Sequence, residues 1–274
     1  MKLADSHIHL FRQGYQHDGL PSLFAAGEIE VYEAIRQLHN VEMALVIGYE
    51  ANGIDPGNNA YIRDLSATHR WMRTVAYVDP RSRPDVGGIA SLLDQGHRGL
   101  ALYLTAPDRV EALLAWPRGI WDLLQARKTI LSFNVRPDGI GPLRPLIAAA
   151  PGVSFLLSHL GLPGALPSDI QPDALDLRLA PLLSLADLPN AMVKISGLYA
   201  TSEPPHAYPH TGAALAIQRI LSAFGPAQCL WGSDFAPALE FNSFPQTVHW
   251  PGLDELSESA RDAVMAGNLM RLVG

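Results

Sequence analysis

The chain has 274 residues, 48% of them hydrophobic and 17% charged, with a mean hydropathy of +0.08; this is the make-up of a compact globular protein and excludes a disordered one. Its net charge of −7 and pI near 5.8 exclude nucleic acid and anionic membrane as main partners, since both need a concentrated basic face. The single cysteine, Cys229, permits neither an intrachain disulfide nor a cysteine cluster for zinc.

The opening MKLADSHIHLF places acid and histidine where a secretory signal needs an unbroken apolar core. No apolar run reaches the roughly 18 residues of a membrane-spanning helix. A soluble, cytoplasmic protein acting on a small-molecule substrate is expected, with self-association into a homo-oligomer left open.

The first β-type run is LADSHI (3–8), and an irregular stretch (11–28) follows it. Helical periodicity in VYEAIRQLHN (31–40) leads to the strand-like MALVI (43–47) and MRTVAYV (72–78). VGGIASLLDQG (86–96) reads as helix, GLALYL (99–104) as strand, GIWDLLQARK (119–128) as helix and ILSFNV (130–135) as strand. LRPLIAAAP (143–151) is helical, and SFLL (154–157) and MVKI (192–195) are strands. A second irregular stretch (197–211), the helical GAALAIQRILSAFG (212–225) and the strand CLWG (229–232) complete the series.

Strand starts recur every roughly 25 to 40 residues, the length of a strand plus a crossover helix. Eight such units predict an α/β fold, a single (β/α)8 TIM barrel over residues 1–274. The competitor is a doubly wound open sheet, but the Gly-rich phosphate turn expected after its first strand is replaced here by His-Ile-His.

In a barrel, polar residues at the C-terminal ends of strands converge on one mouth. His7 and His9, two apart, leave one face of the first strand together. His159 follows the sixth strand, Lys194 and Ser196 lie in and after the seventh, and Asp234 follows the eighth. Taken singly, His159 reads as a structural hydrogen-bonder and Asp234 as a helix cap; two imidazoles on one strand face are costly to bury without a partner. His206, His210 and His249 read as loop or surface residues. Arg98, Arg136 and Lys194 are candidates for gripping a substrate carboxylate, and Tyr49, Tyr103 and Tyr199 for lining the pocket.

Together, two histidines at the end of strand 1, a histidine after strand 6 and an aspartate after strand 8 resemble the amidohydrolase superfamily. The stretches LLSHLGLPG, VKISGLYA, PAQCLWGSDFAP and AVMAGNLMRLVG narrow the resemblance to the branch containing 2-pyrone-4,6-dicarboxylate lactonase and sugar lactonases, and it spans essentially the whole chain. The resemblance implies a hydrolase that opens a small carboxylated or polyhydroxylated lactone, with Asp234 as general base and His7, His9 and His159 on the electrophilic side. Metal-binding members commonly add a strand-5 histidine or a strand-4 carboxylated lysine; here Asn134 and Tyr103 stand near those places. His7, His9 and Asp234 could still hold one divalent ion such as zinc, whereas the pyrone dicarboxylate lactonase is understood to need none, so the cofactor is either absent or a single metal. The alternatives are a metal-dependent non-oxidative decarboxylase of an aromatic or muconate-like acid and a barrel that only binds its ligand.

Overall fold

Each of the eight β-type runs forms a strand, and each strand pairs in parallel with the next in chain order. They are β1 (Leu3–Ile8), β2 (Val41–Ile47), β3 (Met72–Tyr77), β4 (Gly99–Leu104), β5 (Ile130–Val135), β6 (Ser154–Leu157), β7 (Ala191–Ile195) and β8 (Cys229–Trp231). The computed structural model describes residues 1–16, 20–24, 26–51 and 54–274. The predicted irregular stretch 11–28 has no strand and no helix before Glu28 among its described residues, and residues 17–19 and 25 of it lie outside them.

The first and last strands come together beyond β8. Ile8 forms a parallel bridge with Phe235, the Asp234 N–H donates to the His7 carbonyl at 2.8 Å, and the His9 N–H donates to the Phe235 carbonyl. Asp5 ties the same seam, accepting the Ser233 N–H at 2.8 Å and the His7 N–H at 3.2 Å. Gly232 permits this approach, because a Cβ there would stand 2.9 Å from the His7 Cβ. The result is the predicted (β/α)8 barrel.

Crossovers are made by α1 (Glu28–Leu38), α2 (Asn58–Thr68), α3 (Val86–Asp94), α4 (Pro107–Leu114), α5 (Arg118–Ala126), α6 (Pro137–Ala149), α7 (Pro172–Leu183), α8 (Leu198–Thr201) and α9 (Thr211–Phe224). The five predicted helical segments fall in α1, α3, α5, α6 and α9. α4, α6 and α7 each begin on proline, which suits a first helical position because its missing N–H is an orphan there in any case. After β8 come α10 (Phe244–Val248), α11 (Glu258–Asp262), a π-helical turn (Ala263–Gly267) and α12 (Asn268–Val273). Among the described residues no helix is long and apolar enough to cross a membrane.

Two apolar layers result from strand alternation. One face of the strands packs outward on the helices. The other fills the barrel with Ala4, Leu45, Ile47, Val75, Ala101, Ile130, Leu156, Met192 and Leu230, and Ala266, Leu269 and Val273 close it from below. Following the inward positions toward the C-terminal end, β5 runs Ile130, Ser132, Asn134 and β7 runs Met192, Lys194, Ser196. The interior therefore changes from apolar to polar within two residues.

In β1 the alternation slips. Ala4 faces the interior and Asp5 faces outward, accepting the Tyr32 hydroxyl of α1 at 3.0 Å. The register shifts between Asp5 and Ile8, and Ile8 packs in the outer layer. This irregularity turns His7 and His9 together into the barrel.

Candidate active site

His7, His9, His159 and Asp234 meet at the C-terminal mouth, all buried. His7 Nε2 lies 3.2 Å from His9 Nε2, and the carboxylate of Asp234 lies 3.6 Å from His7 Nε2, 3.8 Å from His9 Nε2 and 3.9 Å from His159 Nδ1. The backbones of His159 and Asp234 have φ of 53° and 60°. That left-handed turn, uncommon outside glycine, swings each side chain off its strand end toward the axis.

Each group is held from behind. His9 Nδ1 is 3.0 Å from the Ile47 carbonyl oxygen, and the His9 ring stacks on Phe11 at 5.8 Å. Ser196 Oγ lies 3.1 Å from His159 Nδ1, and the Tyr199 hydroxyl donates to Asp234 Oδ2 at 2.9 Å. Lys194 is fully buried, with Nζ 2.8 Å from Ser132 Oγ and 3.2 Å from His7 Nδ1. Ser158 Oγ stands 3.4 Å from that same nitrogen.

Burial governs the ionisation of all these groups. It lowers His9 to about 4 and His159 to about 3, with the charge of Lys194 adding to the effect, and it takes His7 well below the usual imidazole range. All three imidazoles are neutral at pH 7. Burial pushes Asp234 up to about 7, against the Tyr199 hydrogen bond and the Lys194 charge that favour its ionised form. It likewise brings Lys194 down to about 7, opposed by Asp234 and Asp5. A carboxylate with an ionisation near neutrality can exchange a proton with water at little cost.

The other expected residues divide. Tyr49 and Tyr103 lie at the mouth with their rings 4.6 Å apart, joined by Tyr77. The Tyr103 hydroxyl is buried, has no hydrogen-bond partner among the described residues and feels the charge of Asp234. Arg136 follows β5 on the correct side but is exposed.

Three expectations need correction. Arg98 is exposed and precedes β4, with its backbone bonded to Thr74 and Ile130, so it lies at the opposite end of the barrel from the site. Lys194 is no gripper at the rim: strand alternation turns it into the interior beneath His7. His210 is not a surface residue; it is buried and bonded to Ser202 at 3.0 Å and Asn242 at 3.1 Å.

Arg109, not foreseen, is half-buried near the start of α4, 3.4 Å from the Tyr103 carbonyl and close enough to Tyr49 to favour its ionised form. It sits two residues inside α4, away from the strand ends where polar residues of a barrel converge. Tyr77 and Ser132 were also unforeseen, although counting by two along β3 and β5 reaches both.

A metal fits the donor set. The ligand atoms of His7, His9 and Asp234 all lie within 4.8 Å of one another, and their separations of 3.2, 3.6 and 3.8 Å approach the roughly 3.3–3.6 Å between ligands around a tetrahedral ion bound at about 2.0–2.2 Å.

The amidohydrolase family profile matches residues 4–274, and no curated protein matches the chain. Among solved structures, an amidohydrolase from Burkholderia multivorans with bound HEPES is similar at 20% identity and a TM-score of 0.80, covering 100% of this chain and 99% of its own. A second crystal form of it, with bound zinc, matches at 19% and 0.78 over 100% and 99%. A probable 2-pyrone-4,6-dicarboxylic acid hydrolase from Acinetobacter baumannii, with citric acid bound, matches at 15% and 0.75 over all of both chains. The 5-carboxyvanillate decarboxylase of Sphingomonas paucimobilis matches at 14% and 0.61 over 99% and 98%. At these identities the likeness concerns the fold.

Proposed function

The chain belongs to the amidohydrolase family, and from that premise we propose that it is a hydrolase opening a small lactone that bears carboxylate or hydroxyl groups. The observation that carries this reading is one buried carboxylate, Asp234, raised to about 7 beside three neutral imidazoles within 4 Å of it. A general base and a hydrogen-bonding wall for a carbonyl oxygen are what ester hydrolysis needs.

Asp234 takes a proton from water as the water oxygen bonds to the lactone carbonyl carbon. The carbonyl oxygen gains negative charge facing His7 and His159, while His9, whose Nδ1 N–H is donated to the Ile47 carbonyl, orients His7 through Nε2, and Lys194 adds positive charge behind His7. As the ring C–O bond breaks, Asp234 returns its proton to the leaving oxygen. A divalent ion held by His7, His9 and Asp234 would supply Lewis-acid polarisation of the carbonyl and a more acidic water.

At the rim, the Tyr103 hydroxyl, which has no hydrogen-bond partner among the described residues, offers a hydrogen bond to a substrate oxygen, and Arg109 offers a guanidinium for a carboxylate. These features favour an oxygen-rich substrate. The one cysteine is a buried free thiol, which suits a reducing cytoplasm.

Turnover of a panel of sugar and carboxylated pyrone lactones, with Asp234→Asn as the control, tests the reading. Hydrolysis that falls at least ~100-fold in the variant supports it, the loss expected on removing a general base. No lactone turnover, together with carbon dioxide release from a carboxylated aromatic acid, would transfer the assignment to a decarboxylase; ligand binding without turnover would leave a binding barrel.

A further inference from the structure

We propose that Lys194 is a positioning residue that fixes the proton of His7 on Nε2 and thereby weakens metal binding at His7, His9 and Asp234. Two groups near His7 and His9, a lysine ammonium and a backbone carbonyl, can play only one hydrogen-bonding role each. An ammonium has N–H donors and no lone pair, and a carbonyl oxygen only accepts. They stand at opposite ends of one chain of contacts.

At the far end, His9 Nδ1 lies 3.0 Å from the Ile47 carbonyl oxygen. That nitrogen carries the proton, and the neutral ring is left with a lone pair on Nε2. His7 Nε2 is 3.2 Å from this lone pair, so the proton between the two rings belongs to His7. At the near end, Lys194 Nζ is 3.2 Å from His7 Nδ1 and in its charged form can only donate to it, so Nδ1 is then the unprotonated nitrogen, as the far end also requires. Both ends assign His7 the same tautomer. Ser158 Oγ, 3.4 Å from Nδ1, is compatible because a hydroxyl can also donate.

A metal-binding histidine needs the reverse. It offers a lone pair to the ion and donates its other ring N–H to an acceptor behind it. His9 meets this requirement through Ile47. His7 does not, because what stands behind its Nδ1 is a donor. For Nε2 to ligate an ion, the His7 proton must move to Nδ1, where it would face an ammonium held in place by Ser132 at 2.8 Å. The same contact keeps an N–H, rather than a lone pair, on the His7 nitrogen that faces His9 Nε2 at the mouth. Lys194 therefore trades metal affinity for a hydrogen-bond donor.

Two measurements test this, and neither uses a substrate, so their failure is distinct from failure of the lactone reading. The first is zinc affinity by competition with a chromophoric chelator, comparing wild type with Lys194→Met, which keeps the bulk and removes the donor. The variant is expected to bind zinc roughly 10- to 100-fold more tightly, the size of effect that partners behind a ligand have on metal affinity. Equal or weaker binding in a folded variant overturns the proposal. The second needs no substitution: in metal-free, 15N-histidine-labelled wild type, ring-nitrogen correlation spectra should place the His7 proton on Nε2. A proton on Nδ1 overturns it, whether or not the Lys194→Met chain folds.

Discussion

Replacing Asp234 with asparagine should make the protein more stable while disabling it, and the gain should depend on pH. Burial moves the ionisation of this carboxyl from 3.8 to about 7. Because the folded-state value is raised, between these limits the folded chain holds a proton that the unfolded chain has released. Stability is therefore lost as pH rises through that window. At about 1.4 kcal/mol per pH unit, the full shift is worth about 4 kcal/mol by pH 8, of which about 2 kcal/mol is already present at pH 5. Asparagine carries no such burden, and its amide oxygen can still accept the Tyr199 hydroxyl. Part of the gain is offset because Asp234 also favours the charged form of buried Lys194. The stability difference between variant and wild type should thus widen by about 1–3 kcal/mol from pH 5 to pH 8. Urea unfolding of both proteins at each pH measures it. Taking the change with pH cancels any packing difference between Asp and Asn that pH leaves untouched. A difference that stays constant, or shrinks, as pH rises would refute the claim that burial dominates the Asp234 environment.

In the same pH range, kcat/KM on a lactone should rise with pH toward about 7 as Asp234 becomes available as a base and fall above it as Lys194, also brought to about 7, loses its charge; a profile flat from pH 5 to 8 would remove Asp234 from that role. His9 and His159, lowered to about 4 and about 3, should contribute no limb there. Glu28→Ala should cost about 2–4 kcal/mol in urea unfolding, because the buried carboxylate accepts the N–H groups of Phe11 and Tyr15 and each loses its acceptor. KM should rise as well, since Phe11 stacks on His9, and unchanged stability would show that water substitutes for the carboxylate. Gly197→Ala should lower turnover at least ~10-fold with the circular dichroism spectrum kept. Its φ is +57° and a Cβ there would run into the His159 ring; wild-type turnover would show that His159 tolerates displacement.

The strands were legible because a β-strand buried on both faces writes itself as a short apolar run, and each run is bounded by polar or Gly/Pro positions. The helices were less so. α2 buries only Asn58 and Ile62, too little for a periodic signal, and the prolines inside α6 and α7 break the pattern that their buried leucines would otherwise make. His7, His9, His159 and Asp234 could be picked out because residue type and strand end together select few positions. Arg98 and Lys194 were misplaced for the complementary reason. A basic residue one position before a strand lies a barrel's height from one just after it, and one inside a strand is aimed by alternation, which composition does not report. The tautomer of His7 depends on Lys194, 187 residues away, and no local pattern can carry that.

The seam between β1 and β8 gives the site a history as well as a geometry. Asp5 and Ser233 are separated by 228 positions, so the loop closed by this contact is nearly the whole chain, and such closures form late because their entropy must be lost before any contact rewards it. On a ribosome, His7 and His9 emerge long before Asp234 and wait for it, and until it arrives three imidazoles and Lys194 are left with no Asp234 carboxylate among them. Activity thus reports completion: a chain stopped anywhere short of β8 has no partial form of this chemistry. A pulse-chase of synthesis should find turnover appearing only with full-length protein, after the secondary structure of the earlier βα units is in place.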